Sequence, residues 1–290
     1  MPELPEVETV RRGLEPILEG RRLDRVEQRR PDLRFPFPAR FAERLTGRRV
    51  TALDRRGKVL LVHLDDGHTW LVHLGMSGCF RIDGPGGTGD DDKQEDKQDD
   101  HRHDHLIVET SDGRTLRFHD PRRFGFMDLL PTASLSGNPF LASLGPDPFS
   151  TGFDAAWLAR ACRARRAPLK AVLLDQAVVA GMGNIYASES LFRARLSPER
   201  PAATLNGRQT GRLARAIRAV FSEAIAAGGS TLRNHRQPSG ELGCFQHAFA
   251  VYGRAGLGCP GCRCDPTRTG GIRRIVQSGR STYFCADRQR

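Results

Sequence analysis

Residues 2–16 read Pro-Glu-Leu-Pro-Glu-Val-Glu-Thr-Val-Arg-Arg-Gly-Leu-Glu-Pro. Pro5 suits a first helical turn, where a missing N–H costs nothing. Val7, Val10, Leu14 and Ile17 recur at three-to-four spacing until Gly20 stops the pattern. The stretch therefore predicts an amphipathic helix at the extreme N-terminus, with residues 1–4 tethered beside it. Met before a small residue is normally removed, and its loss from Met1-Pro2 exposes a secondary amine next to the Glu3 carboxylate. An unperturbed α-amine has a pKa of about 8, so a usable neutral fraction exists at physiological pH. Such an amine can attack an anomeric carbon and form an iminium, while a neighbouring carboxylate moves protons on the sugar oxygen. An isolated proline pair would more simply frame a helix start, so this chemistry rests on the company the segment keeps.

Downstream of the helix, from Val50 to Leu130, short β-rich runs take over: Val59–Leu64, Thr69–Leu74, Leu106–Thr110 and Arg114–Phe118. Asp66-Gly67 and Asp112-Gly113 mark two hairpin turns, which predicts an antiparallel sandwich or barrel. Residues 84–104 form a Gly-rich, then charge-rich insertion with almost no apolar residue, expected as a disordered loop. After Pro146-Asp147-Pro148 the pattern turns helical, near 154–165, 169–175, 184–194 and 207–227. Leu213, Ile217, Val220 and Ala224 form the buried stripe of the last helix. The final residues, 244–290, return to β-like runs around cysteines. The reading is an α+β multidomain chain with domains at 1–134, 135–243 and 244–290.

The net charge is +11, yet residues 90–100 carry seven acids against Lys93 and Lys97, leaving +16 on the remainder. That excess points to a polyanion partner, DNA, RNA or an acidic membrane. No apolar run is long enough to span a bilayer and no signal-peptide layout is present, so a cytoplasmic protein is expected. Only four of the 45 cations are Lys, and Lys58 and Lys170 stand outside the acidic run. An amine with a movable pKa is one reason to keep Lys in an Arg-rich chain, and chance is the other. Of seven Cys, four (Cys259, Cys262, Cys264, Cys285) fall near the C-terminus, which suits a metal site better than a disulfide framework.

The opening motif and those that follow together resemble the formamidopyrimidine-DNA glycosylase family across nearly the whole chain, with the cysteine tail the weakest part. The resemblance implies an N-terminal β-sandwich, a helix-two-turn-helix domain and a zinc-finger-like β-hairpin acting on oxidised purines in damaged double-stranded DNA. It makes Pro2 the nucleophile, Glu3 the proton donor in base release, and Lys58, in Arg55-Arg56-Gly57-Lys58, the proton donor for β-elimination. His73-Leu74-Gly75-Met76 resembles the segment whose His contacts phosphate and whose Met fills the gap left by an extruded base. Asp120 to Gly125 resembles the wedge loop, with Arg122 facing the orphaned cytosine and Phe124 entering the stack. His103, in Arg102-His103-Asp104-His105, corresponds to a position used near DNA, as do Arg166 and Lys170. Val179 to Glu189 matches the helix-two-turn-helix element, where Asn184 and helix N-terminal amides can hold a phosphate. Arg280, in Gly279 to Cys285, matches the hairpin tip and is implied in phosphate contact and δ-elimination.

The finger departs from its pattern. Cys259-Pro260-Gly261-Cys262 supplies the first pair, but 22 residues separate Cys262 from Cys285 and the expected last ligand position holds Arg288. A structural Zn²⁺ takes four ligands. Cys264 could be the fourth, Asp287 is a poorer substitute, and a metal-free hairpin is the third option. Two other functions fit the same motifs. An endonuclease VIII type would prefer oxidised pyrimidines, and a non-catalytic protein could keep the fold and wedge without turnover. Leu4, Met76, Arg122 and Phe124 favour the purine reader, and Pro2, Glu3 and Lys58 favour the enzyme, expected to act as a monomer.

Overall fold

The computed structural model describes residues 1–84, 101–231, 242–262 and 265–290. These form two compact units, one comprising Met1–Leu141 with Ala227–Cys244, the other Ala142–Ala226 with Phe245–Arg290. The division differs from the sequence reading in three respects: the first border falls at 141 and not 134, Ala227–Cys244 is grouped with the N-terminal unit, and Phe245–Arg290 shares a unit with the helices and does not stand apart.

The first unit opens with helix α1 (Leu4–Leu18) and carries a short α2 (Phe41–Leu45). Eight strands follow α1: β1 (Leu23–Gln28), β2 (Val50–Arg56), β3 (Val59–Leu64), β4 (His68–His73), β5 (Cys79–Asp83), β6 (Asp104–Thr110), β7 (Thr115–His119) and β8 (Phe126–Pro131). They make two antiparallel four-stranded sheets, β1-β6-β7-β5 and β2-β3-β4-β8. Gly67 and Gly113 occupy the two expected hairpin turns at φ 78° and 82°, a conformation a Cβ disfavours. Val7, Val10, Leu14 and Leu18 of α1 share one core with residues from both sheets, including Trp70, Phe80 and Phe118. Each large apolar side chain enclosed there stabilises the unit by about 2 kcal/mol relative to exposure. The core thus fixes α1, and with it the N-terminus, against the sandwich.

The charged insertion rejoins the fold earlier than expected. His101–His103 forms a 3-10 turn, and the Asp104 side chain is fully buried between His101 and His119, at 2.8 and 3.0 Å. Hydrogen bonding to the buried Asp104 carboxylate outweighs the lack of apolar residues there. Residues 85–100 lie outside the described residues.

Helix α3 (Pro139–Ala142) spans the border, and the second unit holds α4 (Ala155–Cys162), α5 (Leu169–Leu174), α6 (Asn184–Ala194), α7 (Gly207–Ala226) and the short α8 (Pro266–Thr269). Asp154 caps α4 by accepting the Trp157 N–H at 2.6 Å. Leu213, Ile217, Val220 and Ala224 are buried on α7, the stripe read from the sequence. Strands β9 (Arg273–Gln277) and β10 (Arg280–Phe284) form the terminal hairpin. Its two-residue turn, Ser278-Gly279, has φ 49° and 71°, the pairing a tight primed turn demands.

Candidate active site

Pro2 and Glu3 are buried ahead of α1, and the residues that hold them were not singled out by the motifs. Glu6 accepts the Glu3 N–H on Oε2 at 2.8 Å, closing back on the helix start. Its Oε1 accepts both the N–H and the hydroxyl of Ser230 at 2.9 Å. One buried carboxylate therefore ties the residues beside Pro2 to residue 230. Glu-x-x-Glu around the helix start was the available signal.

Lys58 is placed by a second tie. It follows Gly57, whose φ of 60° makes the two-residue turn between β2 and β3. Arg55 donates to the Gly57 carbonyl at 3.0 Å and to Glu8 of α1 at 3.0 Å. Burial opposes ionisation of Glu8, but hydrogen bonds from Arg11, Arg12 and Arg55 outweigh it and hold the carboxyl below its usual range. The Lys58 turn is thereby anchored to the helix that carries the N-terminus. The Met1 amine is pushed below its ordinary pKa, chiefly by burial; Glu3 and Glu6 oppose the shift, and Lys58 and Arg122 add to it. Two carboxylates, a Lys and an Arg thus all act electrostatically on the N-terminal amine.

His73 ends β4 with its ring stacked on Phe126 at 5.0 Å, and Nδ1 accepts the Gly75 N–H at 3.0 Å. The proton of the neutral ring therefore sits on Nε2. Burial, then Lys58 and Arg34, lower its pKa from 6.5 to about 4. Any phosphate contact from His73 is a neutral N–H contact above about pH 5. Linkage fixes a further consequence. Between about pH 6.5 and 4 the unfolded chain binds a proton that the folded protein refuses, so stability falls as pH drops through that window. The full difference is about 3 kcal/mol. Denaturant titrations at pH 7 and 4.5 should show a His73→Asn variant losing less on acidification than the native protein; parallel losses would show that His73 titrates normally.

Met76 and Phe124 are 41% and 43% exposed, and the Arg122 guanidinium lies 4.7 Å over the Phe124 ring. His103 is partly exposed, with its Nε2 accepting from Arg102 at 3.0 Å, so Nδ1 carries the proton.

In the second unit Arg166 and Arg280 are exposed, the latter at the hairpin tip. Lys170 is not presented to solvent as a DNA-contacting cation would be. It is 1% exposed and donates to Asn184 Oδ1 at 2.6 Å, Thr282 Oγ1 at 2.8 Å and the Ser281 carbonyl at 3.0 Å. Asn184 in turn donates to the Ser281 carbonyl at 2.9 Å. These two side chains join α5, α6 and β10, a role that only the tertiary fold creates. Glu189, also unmarked by the sequence, is buried and accepts the N–H groups of Ala250, Val251 and Tyr252 at 2.8–3.0 Å.

The sulfurs of Cys259, Cys262 and Cys285 lie within 4.8 Å of one another, the one group of metal-ligand type found among the described residues. Three soft donors suit a tetrahedral thiophilic cation. Arg288, where the fourth ligand was expected, turns its guanidinium to the Gly261 carbonyl and stacks over Phe192 at 4.9 Å. Cys264 lies outside the described residues.

The family profile described as Formamidopyrimidine-DNA glycosylase N-terminal domain matches residues 1–127, and that described as Formamidopyrimidine-DNA glycosylase H2TH domain matches residues 144–236. Formamidopyrimidine-DNA glycosylase of Rhodospirillum centenum is 57% identical over 302 residues, with both chains fully covered. Its counterpart in Rhodospirillum rubrum is 56% identical over 290 residues, again over both whole chains. The crystal structure of the MutM (Fpg) protein of Thermus thermophilus superposes with a TM-score of 0.83 at 42% identity, covering 99% of this chain and 98% of that one. Lactococcus lactis Fpg in complex with abasic-site DNA gives 0.84 at 31% identity, covering 99% of each. The sandwich, the helical unit and these relatives together define a DNA glycosylase of base excision repair. More narrowly, the chain belongs to the formamidopyrimidine-DNA glycosylase family, enzymes with both glycosylase and AP lyase activity. No helix among the described residues is long and apolar enough to cross a membrane.

Proposed function

We propose that this enzyme excises 8-oxoguanine and formamidopyrimidines from duplex DNA and then nicks the strand by β- and δ-elimination. The amine of Pro2, freed by loss of Met1, attacks C1′ of the damaged nucleotide as the bond to the base breaks. Glu3 moves the proton at the sugar ring oxygen while the ring opens to the iminium. Lys58 supplies a proton during β-elimination, and Arg280 serves at the phosphate in δ-elimination. Met76 fills the vacated space, Arg122 faces the orphaned cytosine and Phe124 wedges the stack, with His73, His103 and Arg166 toward the backbone. The observation that carries this reading is the burial of Pro2 and Glu3 at the head of α1, tied there by Glu6.

Residues 1–134 are assigned the chemistry, 135–243 the duplex grip and 244–290 a finger-like hairpin. Cys259, Cys262 and Cys285 would hold one structural zinc. When bound, that ion ties the hairpin together and takes no part in the reaction. The enzyme works in the cytoplasm, as a monomer, on damaged duplex. Borohydride trapping of the reduced, Met-processed protein on duplex with 8-oxoguanine opposite cytosine tests the assignment, with zinc assayed on the same sample. A covalent adduct on the N-terminal peptide is expected. Trapping only on oxidised pyrimidines would identify a pyrimidine reader, and no trapping on either would leave a binding protein.

A further inference from the structure

Two loops cross between the sheets of the sandwich: residues 74–78 join β4 to β5, and residues 120–125 join β7 to β8. They touch backbone to backbone. Gly75, at φ 65°, has no room for a Cβ, which would lie 2.3 Å from the Phe124 carbonyl carbon and the Gly125 nitrogen. Asp120 is fully buried and uses both carboxylate oxygens across this seam. Oδ1 accepts the Ser77 hydroxyl at 2.5 Å, and Oδ2 accepts the Gly125 N–H at 2.8 Å. The Ser77 oxygen in turn accepts the Arg122 N–H at 3.2 Å. The backbone of Asp120 is held as well: its N–H donates to the His103 carbonyl at 3.0 Å, and its carbonyl accepts from Arg123 N–H at 3.1 Å and His105 Nε2 at 2.9 Å. Above this base stand two exposed apolar tips, Met76 and Phe124.

We infer that Ser77 and Asp120 are positioning residues that fasten the Met76 loop to the Arg122–Phe124 loop, so that gap filling and wedging are one concerted insertion. This rests on the reading of Met76, Arg122 and Phe124 as the side chains that enter the duplex. The physical reason is preorganisation. Two loops free to move separately would each need ordering on the DNA, whereas a shared buried carboxylate orders both in advance. Insertion of one tip then brings the other into place.

A double-mutant cycle tests it on full-length protein, reading Kd for duplex containing a tetrahydrofuran abasic analogue opposite cytosine, relative to undamaged duplex. Met76→Ala and Phe124→Ala should each cost about tenfold, and together less than their product by about fivefold, the signature of coupled residues. In a Ser77→Ala background that coupling should vanish, and in Ser77→Thr, which keeps the hydroxyl, it should persist. Asp120→Asn serves as the second route, since its amide presents a donor where one oxygen accepted. Coupling that survives in both Ser77→Ala and Asp120→Asn overturns the proposal, as does its absence from the native protein. The Kd readout needs no chemistry at Pro2. Borohydride trapping on a cleavable abasic duplex, run alongside, reports the glycosylase/lyase reading separately: failure of native trapping counts against that reading alone.

Discussion

Protein that keeps Met1 should form no borohydride-trapped adduct and should lose excision on the order of a thousandfold or more against the processed form of the same chain. The reason is the bonding of one nitrogen. Behind Met1, the nitrogen of Pro2 is a tertiary amide whose lone pair is delocalised; with Met1 removed, it is a secondary amine. The two forms differ in nothing else, and Met1 is half exposed, so its presence does not disturb the core. Mass spectrometry of each preparation, followed by trapping on abasic duplex, gives the comparison. Equal trapping by both forms would sink the Pro2 mechanism and direct attention to Lys58, the other amine in the same buried neighbourhood.

Replacing Lys170 with Met should cost the second unit about 3 kcal/mol in denaturant unfolding, since three acceptors around a buried site lose a charged donor at once. Lys170→Arg should not restore it, because a planar fork cannot address three acceptors that converge on a tetrahedral ammonium. Were Lys170 chiefly a phosphate contact, the result would be inverted: Lys170→Met would leave unfolding unchanged, and DNA affinity alone would fall with a reduced salt slope. The same network sets Asn184 and β10, so loss of the ammonium should also weaken binding to undamaged duplex, as a secondary effect of misplacement.

Much of this was legible in the sequence because it is local. The period of α1, the two Asp-Gly turns and the α7 stripe are each decided within a few residues, by backbone sterics and one-sided burial. Motif chemistry is local too. The proline amine beside Glu3 and the Gly57 turn that precedes Lys58 are properties of short stretches. The four cysteines are equally visible, and so is the Arg288 that breaks their pattern.

What only the tertiary structure decided is where charges end up, since burial depends on segments far apart in the chain. Lys58 and Lys170 read alike in the sequence as exceptional amines. One sits on a turn anchored by Arg55 and Glu8 and acts on the N-terminal amine; the other is enclosed by partners up to 112 residues away. Glu6, Asp120 and Glu189 look like ordinary surface acids, yet each is buried with donors from elsewhere in its unit. A carboxylate is tolerated inside only where the fold brings it compensating N–H and O–H groups. The sequence by itself therefore determined the elements and named the candidate reacting groups, while tertiary packing decided which charged side chains face solvent and which are held inside.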